Sequence, residues 1–327
     1  MYRPYSDSPA LIPGDVCRPT TDCADGLAAA DCTEIELLRL LDASTTHSTK
    51  RSYESDLRHF VAFGGSVPAT PIDVARYLAA YAGCLSVATL ARRLVAIGQA
   101  HAARGLLDPT KSELVRRTMR GVRRTYGAPQ RRALALTRHD LVLIASSLDF
   151  SVKDIRDRAL LLVGFAGAFR RCELVAINCN LIRSVPQGLL ITIPRGKSDQ
   201  EGRGREVVIP HGRMACPVRA LDVWLSASGI TDGPVFRAMR KGGRVGPKRL
   251  SPDAVAKIVK ERVKEAGLDS IHYSGHSLRA GFATSAAAAG IPTWRIKAQT
   301  GHASDAMLGR YIRHAALFDR DALPTVL

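Results

Sequence analysis

The sequence predicts a mainly α-helical protein of two domains: an N-terminal helical bundle, then a C-terminal α+β domain with one small antiparallel sheet. Three observations lead to this fold class. Helical segments that begin behind capping residues fill residues 48–126. A Gly- and Pro-containing stretch with two arginines, residues 127–136, then interrupts the pattern and is typical of a basic linker. Beyond it, helical segments surround a strand-like patch with a polar, Gly-rich turn.

The N-terminal end lacks such a pattern. Residues 1–33 are rich in Pro, Asp, Ser and Ala without sustained periodicity, so we expect a poorly ordered tail there. A short helix is expected over residues 33–41. A helical domain is then expected to cover residues 34–126.

Each helix of the first domain has its own start signal. Ser48 is a suitable N-cap for the first, and Ser86 for the third. Thr70 can cap the second, with Pro71 at the first helical position and Asp73 in the first turn. The expected helices cover residues 49–63, a segment that starts at residue 71, residues 87–103 and residues 112–126.

The second domain is expected to cover residues 137–327. Thr137 is the capping residue of its first helix. The expected helices cover residues 138–148, 153–169, 217–228, 252–266, 275–289 and 292–299, and a last one crosses Tyr311. The two expected strands cover residues 188–194 and 205–210.

The charge is distributed unevenly along the chain. The 327 residues have a formal net charge of +17 and a pI of about 10.0. Residues 1–47 hold three basic and eight acidic side chains, and the remaining 280 residues hold 44 and 22. This excess of basic residues beyond residue 47 favours a polyanionic partner that is bound over a long surface. Nucleic acid is such a partner.

Arginines are concentrated between residues 92 and 132, where the only acidic residues are Asp108 and Glu113. Most charge runs are solvated helix faces. Here too few acidic residues are present to offset the repulsion between the arginines. The negative charges of a bound polyanion would offset it. We therefore predict contact with nucleic acid by Arg92, Arg93, Arg116, Arg117, Arg120, Arg123, Arg124, Arg131 and Arg132.

Cysteine spacing and hydropathy limit the other possible partners. The seven cysteines form no CxxC pair and no Cys/His cluster, so we expect reduced thiols and no metal. The longest apolar run, residues 159–169, is too short to span a bilayer. A cytoplasmic protein without a membrane partner is expected.

The stretch from His276 to Tyr311 contains side chains that suit phosphoryl transfer. Arg279 follows His276 by three positions, and a Gly-His pair ends at His302. Arginine binds phosphate through a planar fork of donors, histidine exchanges a proton near neutral pH, and a tyrosine hydroxyl can attack phosphorus. Together these groups indicate an enzyme that cuts DNA by becoming attached to it covalently.

A second motif makes the resemblance to one family specific. The segment G-A-F-R-R-C-E-L resembles the first arginine motif of the tyrosine recombinases, also called the phage integrase family, although Phe169 replaces the usual Leu. The stretches SGHSLRAGFA and GRYIR are most similar to the Cre-like site-specific recombinases within it. All six catalytic positions of the family are present in order, as Arg170, Lys197, His276, Arg279, His302 and Tyr311.

The resemblance implies a SAM-like core-binding bundle followed by a catalytic domain. It implies a site-specific recombinase that cleaves and rejoins DNA through a 3′-phosphotyrosyl intermediate, as a homotetramer on two recombination sites. Two arginine forks and His302 would hold the phosphate. Tyr311 would be the nucleophile, His276 the base and Lys197 the acid. No metal, ATP or other cofactor is implied.

Alternatives remain open from the residues alone. Arg171 could bind the phosphate in place of Arg170, and His272 could replace His276. Arg195 or Arg203 could take the place of Lys197. Glu173 is expected to orient Arg170 or its backbone. Alternative functions are a DNA-relaxing topoisomerase or telomere resolvase with the same chemistry, and a non-catalytic DNA-binding protein of the same fold.

Overall fold

The computed structural model of the protein describes residues 26–129, 133–194, 204–302 and 308–309. The chain divides into two compact units, Met1–Gln130 and Arg131–Leu327. The division falls within the stretch 127–136 that the sequence marks as a linker. Each unit has its own hydrophobic core.

The predicted fold class is confirmed, because the described residues are mostly helical with small antiparallel sheets. The helices of the first unit are α1 (Gly26–Ala43), α2 (His47–Ala62), α3 (Pro71–Ala80), α4 (Val87–Ala102) and α5 (Glu113–Tyr126). Those of the second unit are α6 (Arg138–Ser147), α7 (Val152–Ala166), α8 (Arg171–Ala176), α9 (Pro217–Ser228), α10 (Pro252–Glu265), α11 (Ser277–Ala288) and α12 (Thr293–Thr300). The strands are β1 (Ile182–Val185), β2 (Gly188–Ile193), β3 (Arg205–Pro210), β4 (Arg237–Met239) and β5 (Val245–Arg249).

The first unit differs from the prediction at its first two helix starts. Helix α1 begins at Gly26, inside the stretch expected to be poorly ordered, because its alanines favour a helix without supplying an apolar stripe. Helix α2 is capped by Thr46, whose hydroxyl accepts from the backbone N–H of Thr49 at 3.3 Å. The prediction of Ser48 as the cap was wrong, because the helix begins at His47, two residues earlier than expected.

The starts of α3 and α4 agree with the prediction. The hydroxyl of Thr70 accepts from the backbone N–H of Asp73, and the Asp73 carboxylate accepts in return from the backbone N–H of Thr70. Ser86 accepts from the backbone N–H of Thr89 at 3.1 Å. The core of the unit contains fully buried apolar side chains from α2, α3 and α4, among them Phe60, Leu78, Leu90 and Ile97.

The second unit is built around a three-stranded antiparallel sheet in the order β1-β2-β3. Its register pairs Ile182 with Ile191 and Leu189 with Ile209. The sequence predicted β2 and β3 but missed β1, a strand whose two central residues are exposed. It also missed the β4–β5 hairpin, whose second strand contains Gly, Pro and Lys. Neither β1 nor β5 has the alternation of apolar and polar residues that marks a half-buried strand.

Helix α11 is held against the segment that leads into α6. The backbone N–H of Leu136 donates to the carbonyl of Ser277 at 3.0 Å, and that of Leu134 donates to the carbonyl of His272 at 2.8 Å. A Cβ atom on Gly281 would lie 1.8 Å from the carbonyl oxygen of Leu136. Glycine at position 281 therefore allows the segment to pass directly over α11.

Helix α7, which leads to Arg170, is anchored by a buried ion pair with α10. Asp157 is fully buried, and its Oδ2 accepts from Nε of Arg262 at 2.8 Å and from Nη2 at 2.6 Å. Arg156 donates from Nε to Oδ1 of the same carboxylate at 2.8 Å. The carboxylate is therefore neutralised from two sides, as a buried charge requires.

Within the part of the chain that is described, no helix has both the length and the apolar character needed to cross a bilayer.

Candidate active site

Arg170 stands immediately before α8 and is held at both its backbone and its side chain. Its backbone N–H donates to Oε2 of Glu173 at 3.0 Å, and its Nη1 donates to Oε1 at 2.6 Å. Its Nη2 donates to the carbonyl oxygen of Gly301 at 3.3 Å. A carboxylate three positions into a helix can reach back to the N-cap residue. The spacing R-R-C-E therefore produces this contact, and the expectation that Glu173 orients Arg170 is confirmed.

A second arginine, Arg205 at the start of β3, holds Glu173 from the other side. Its Nη2 donates to Oε2 of Glu173 at 3.0 Å, and its Nη1 donates to the carbonyl of Gln299 in α12 at 2.7 Å. Burial alone would raise the pKa of the Glu173 carboxyl. The hydrogen bonds from Arg170 and the charges of both arginines outweigh burial and lower that pKa below its usual value. Glu173 is thus a buried anion between two cations.

Arg279 lies in the first turn of α11 and is 1% exposed. Its Nη1 donates to the carbonyl oxygen of Ala168 at 2.9 Å. Ala168 belongs to the turn between α7 and Arg170, and its φ of 49° is in the left-handed region. The turn therefore positions Arg170, which follows it in the chain, and Arg279, which is hydrogen-bonded to it.

His276 is the N-cap residue of α11, one turn ahead of Arg279. Its backbone N–H donates to the hydroxyl of Ser274 at 3.1 Å, and the residue as a whole is exposed. Partial loss of solvation around the ring lowers the pKa of His276, and the positive charges of Arg279 and Arg170 lower it further. The ring is consequently neutral near pH 7, as a proton acceptor must be.

His302 follows α12 and is 5% exposed. Burial, followed by the positive charges of Arg279 and Arg170, lowers the pKa of His302 from 6.5 to about 4. Its Nδ1 lies 2.7 Å from the hydroxyl oxygen of Thr300. Gly301, with a φ of 63°, ends the helix and turns the chain between the two side chains.

These side chains come from four separate places in the second unit: the turn before α8, the start of β3, the start of α11 and the end of α12. The charges of Arg170 and Arg279 act on both His276 and His302. The structure therefore brings together four of the six predicted catalytic residues. The result is a cationic cluster with two neutral imidazoles, which is suited to bind a phosphate.

Two of the six predicted catalytic residues, Lys197 and Tyr311, lie outside the described residues, and their roles stay predictions. The same holds for the rivals of Lys197, Arg195 and Arg203. Of the rivals that are described, Arg171 donates from Nη1 to the Asp253 carboxylate at 3.3 Å. The other, His272, is exposed with its Nε2 3.6 Å from the Asp269 carboxylate.

Sequence reasoning missed Arg205 and Thr300 as parts of this cluster. No local signal marks Arg205, because its partners are distant in the sequence. The segment T-G-H does contain a signal for Thr300, since a glycine directly after a helical pattern indicates that the helix ends there and that the chain turns back.

Arg92 and Arg93, both predicted to contact DNA, form ion pairs within the first unit. The side chain of Arg92 donates from Nε and Nη2 to the buried Asp56 carboxylate at 2.7 and 2.8 Å. Arg93 is 9% exposed, and its Nη1 donates to the hydroxyl of Tyr77 at 2.9 Å. Sequence alone does not distinguish an internal arginine from a surface one. The burial of Arg93 gives it a structural role, and we do not keep it among the proposed DNA contacts.

The five predicted arginines of α5 are all exposed: Arg116, Arg117, Arg120, Arg123 and Arg124. Glu113, at the start of the same helix, lies 3.8 Å from Arg116 and 2.5 Å from Arg120. One carboxylate cannot neutralise five cations, so the helix presents a basic surface. Arg131 and Arg132 lie outside the described residues.

Comparisons with known proteins agree on one family. A model of the phage integrase family matches residues 135–317. The chain is 38% identical over 296 residues to an integrase/recombinase XerD homolog of Selenomonas ruminantium, which covers 87% of each protein. It is 28% identical over 267 residues to the recombinase Cre of Escherichia phage P1, over 76% of this chain and 77% of that protein.

Solved structures agree in fold. The integrase of transposon Tn1549, in complex with circular intermediate DNA, is similar with a TM-score of 0.60 and 16% identity. The similarity covers 87% of this chain and 96% of that one. The match spans both units, so the likeness of fold extends beyond the residues that the family model matches.

Proposed function

The chain belongs to the phage integrase family and is a tyrosine recombinase, an enzyme that cleaves and rejoins DNA, and from this premise we propose that the cluster around Arg170 and Arg279 binds the scissile phosphate. The observation that carries this proposal is the convergence of two arginines and two histidines, from distant parts of the sequence, on one place. A phosphodiester carries the negative charge that this group of positively charged side chains attracts.

The cluster has the groups that a phosphoryl-transfer transition state needs. Charge accumulates on the non-bridging oxygens as phosphorus becomes five-coordinate, and guanidinium donors stabilise it without titrating. The side chain of Arg279 is pre-oriented by Ala168, and that of Arg170 by Glu173. Pre-orientation matters because donors that are already aligned need no rearrangement at the moment of reaction.

The remaining roles are assigned to complete the reaction. The hydroxyl oxygen of Tyr311 bonds to phosphorus, its proton passes to His276, and the bond from phosphorus to the 5′ oxygen breaks. The leaving 5′ oxygen takes a proton from Lys197. The 3′ end is then held as a phosphotyrosine ester, and the reverse sequence on a new 5′ hydroxyl rejoins the strand without ATP.

Double-stranded DNA is the proposed partner. The similar Tn1549 integrase structure contains DNA, and the exposed arginines of α5 supply a surface of the correct charge. We further propose that four copies assemble on two sites, because recombination requires two duplexes that are each cut within a pair of half-sites. The cytoplasmic location stays a prediction.

A trapping experiment tests the function. A bound site is first selected from randomised duplexes and then remade with a nick beside the cleavage position, so that the short 5′-hydroxyl fragment diffuses away after cleavage. The wild-type chain is expected to form a covalent complex whose DNA-linked peptide contains Tyr311. The matched Tyr311→Phe variant is expected to bind the same duplex without forming the complex. A wild-type chain that binds but forms no adduct would instead indicate a non-catalytic DNA-binding protein.

A second assay separates recombination from relaxation. Two copies of the selected site are placed on one plasmid, and the products are resolved on a gel. Deletion or inversion of the intervening DNA is expected. Relaxed plasmid without exchange would favour the topoisomerase alternative.

A further inference from the structure

The Thr300 hydroxyl lies between the last turn of α12 and the ring of His302. Its oxygen is 2.7 Å from the carbonyl oxygen of Ile296 and 2.7 Å from Nδ1 of His302. Thr300 is fully buried, and His302 is 5% exposed. The pair is therefore a polar contact inside the unit, at the edge of the cationic cluster.

The number of hydrogen atoms decides the direction of these two bonds. A threonine hydroxyl has one hydrogen, and a carbonyl oxygen can only accept. The hydroxyl therefore donates to the carbonyl of Ile296, since two oxygens at 2.7 Å without a hydrogen between them would repel each other. Nδ1 of His302 must then carry a hydrogen and donate it to the hydroxyl oxygen.

We propose that Thr300 is a positioning residue for His302: its hydroxyl holds the ring by Nδ1, so that Nε2 is the nitrogen that serves the phosphate. The proposal deepens the proposed function and rests on it for the role of Nε2. The inference about Nδ1 stands on the geometry of the free protein alone.

The turn between the two residues supports the assignment. Gly301 adopts a φ of 63°, and its backbone N–H donates to the carbonyl of Lys297 at 2.7 Å. This reversal brings the ring back to the helix that has just ended. The nearby guanidinium of Arg205 would lie 3.1 Å from a Cβ atom on Gly301, so a larger residue would also disturb the neighbouring cation.

The assignment has a consequence for DNA binding. In the neutral ring Nε2 is an acceptor, and a phosphate oxygen is an acceptor too, so contact between them requires a proton on Nε2. The charged groups that act on the ring are Arg279, Arg170 and Arg205, and His276 adds a positive charge when its own ring is protonated. Their positive charges oppose this proton in the free protein, and the negative charge of a bound phosphate offsets them. His302 is thus expected to take up a proton when DNA binds.

Nitrogen NMR of the full-length chain labelled with ¹⁵N-histidine tests the proposal directly. The His302 signals are identified by their loss in a His302→Gln variant. Near pH 7 without DNA, the wild-type ring is expected to be the Nδ1–H tautomer. Thr300→Ser, which retains the hydroxyl, should preserve this tautomer, and Thr300→Val, which has nearly the same shape, should shift it toward Nε2–H. A wild-type ring with the hydrogen on Nε2, or no shift in Thr300→Val, would overturn the proposal.

Cleavage of the nicked site supplies the second readout. Thr300→Val is expected to slow single-turnover cleavage at saturating protein concentration by about 10- to 100-fold, and Thr300→Ser to restore most of the rate. Equal rates in Thr300→Val and wild type would contradict a positioning role. If the wild-type chain formed no covalent complex, the proposed function would fail while the tautomer result remained valid. If Thr300→Val failed to fold, the tautomer of the wild-type ring and that of the Thr300→Ser variant would still test the proposal, because both are expected to be Nδ1–H.

Discussion

The carbonyl oxygen of Ala168 accepts a 2.9 Å hydrogen bond from Nη1 of Arg279. This contact joins the turn after α7 to the first turn of α11, two elements that are far apart in the sequence. The carbonyl belongs to a residue with a φ of 49°, a conformation that an L-residue adopts at a cost of about 1 kcal/mol. The surrounding packing offsets that cost and orients a buried guanidinium.

Replacing Arg279 with Lys tests whether the fork of donors matters beyond its charge. A single ammonium group has three donors but no planar fork, so it cannot present two parallel N–H groups to a phosphate while it also holds the Ala168 carbonyl. We expect Arg279→Lys to bind DNA with the wild-type salt dependence and to cleave about 100-fold more slowly. The measurement is single-turnover cleavage of the nicked site. Near-wild-type cleavage would show that charge alone suffices.

Glu173 separates the two cations Arg170 and Arg205, and neutralising it should destabilise the second unit. We expect Glu173→Gln to lower the free energy of unfolding by about 2–3 kcal/mol at pH 7 in urea titrations. The pKa of Glu173 is lowered in the folded state, so its stabilisation is present above the unfolded pKa of 4.5 and is lost as pH falls through the folded value. The difference between variant and wild type should therefore shrink in acid.

The matched control for this prediction is Glu206→Gln. The Glu206 side chain is 60% exposed and lies 3.8 Å from Arg183. An exposed pair of this kind contributes little, so the change should stay within about 0.5 kcal/mol. Equal effects of the two substitutions would remove the special role given to Glu173.

His302 should make the DNA-free protein less stable in mild acid. Its pKa is about 4 in the folded state and 6.5 in the ordinary state, so the unfolded chain binds the proton more tightly. The stabilisation is present above pH 6.5 and is lost as pH falls toward 4, by up to about 3 kcal/mol. Urea unfolding at pH 7 and pH 4.5 measures it. His302→Gln should flatten the profile in this window, and an unchanged profile would contradict the lowered pKa.

Gly281 should tolerate no side chain. The Cβ atom of an alanine would lie 1.8 Å from the Leu136 carbonyl oxygen, so the segment and α11 must move apart. We expect Gly281→Ala to lower the free energy of unfolding by at least about 2 kcal/mol, although alanine favours helices. Gly121→Ala in α5 is the control, because nothing lies within 4 Å of its Cβ position. It should be neutral or stabilise by up to about 1 kcal/mol.

Arginines with different burial should respond differently to substitution. Exposed Arg123→Gln is expected to weaken DNA binding and to reduce the slope of log affinity against log salt by about 1, without a change in stability. Buried Arg93→Gln should chiefly lower stability, because it leaves the hydroxyl of Tyr77 and the carboxylate of Asp56 with fewer partners. Filter binding across salt concentrations and urea unfolding separate the two effects. A change in the salt slope of the Arg93→Gln variant would show instead that Arg93 contacts DNA.

The sequence by itself determined those features whose energies are local. Capping boxes behind Thr70 and Thr137 start helices wherever the chain places them, since the donor and acceptor are three residues apart. The same spacing joins Arg170 to Glu173 and places His276 and Arg279 at one helix start. The order of these residues is also enough to indicate the family.

Only the tertiary structure decided which distant groups meet. Arg205 resembles any strand arginine until folding places it against Glu173 and the end of α12, and Arg93 resembles its exposed neighbours until Asp56 and Tyr77 surround it. The physical reason is that burial and charge pairing depend on three-dimensional packing, which period and spacing do not encode. The lowered pKa of His302 has the same origin, because it depends on cations that the fold assembles from other elements.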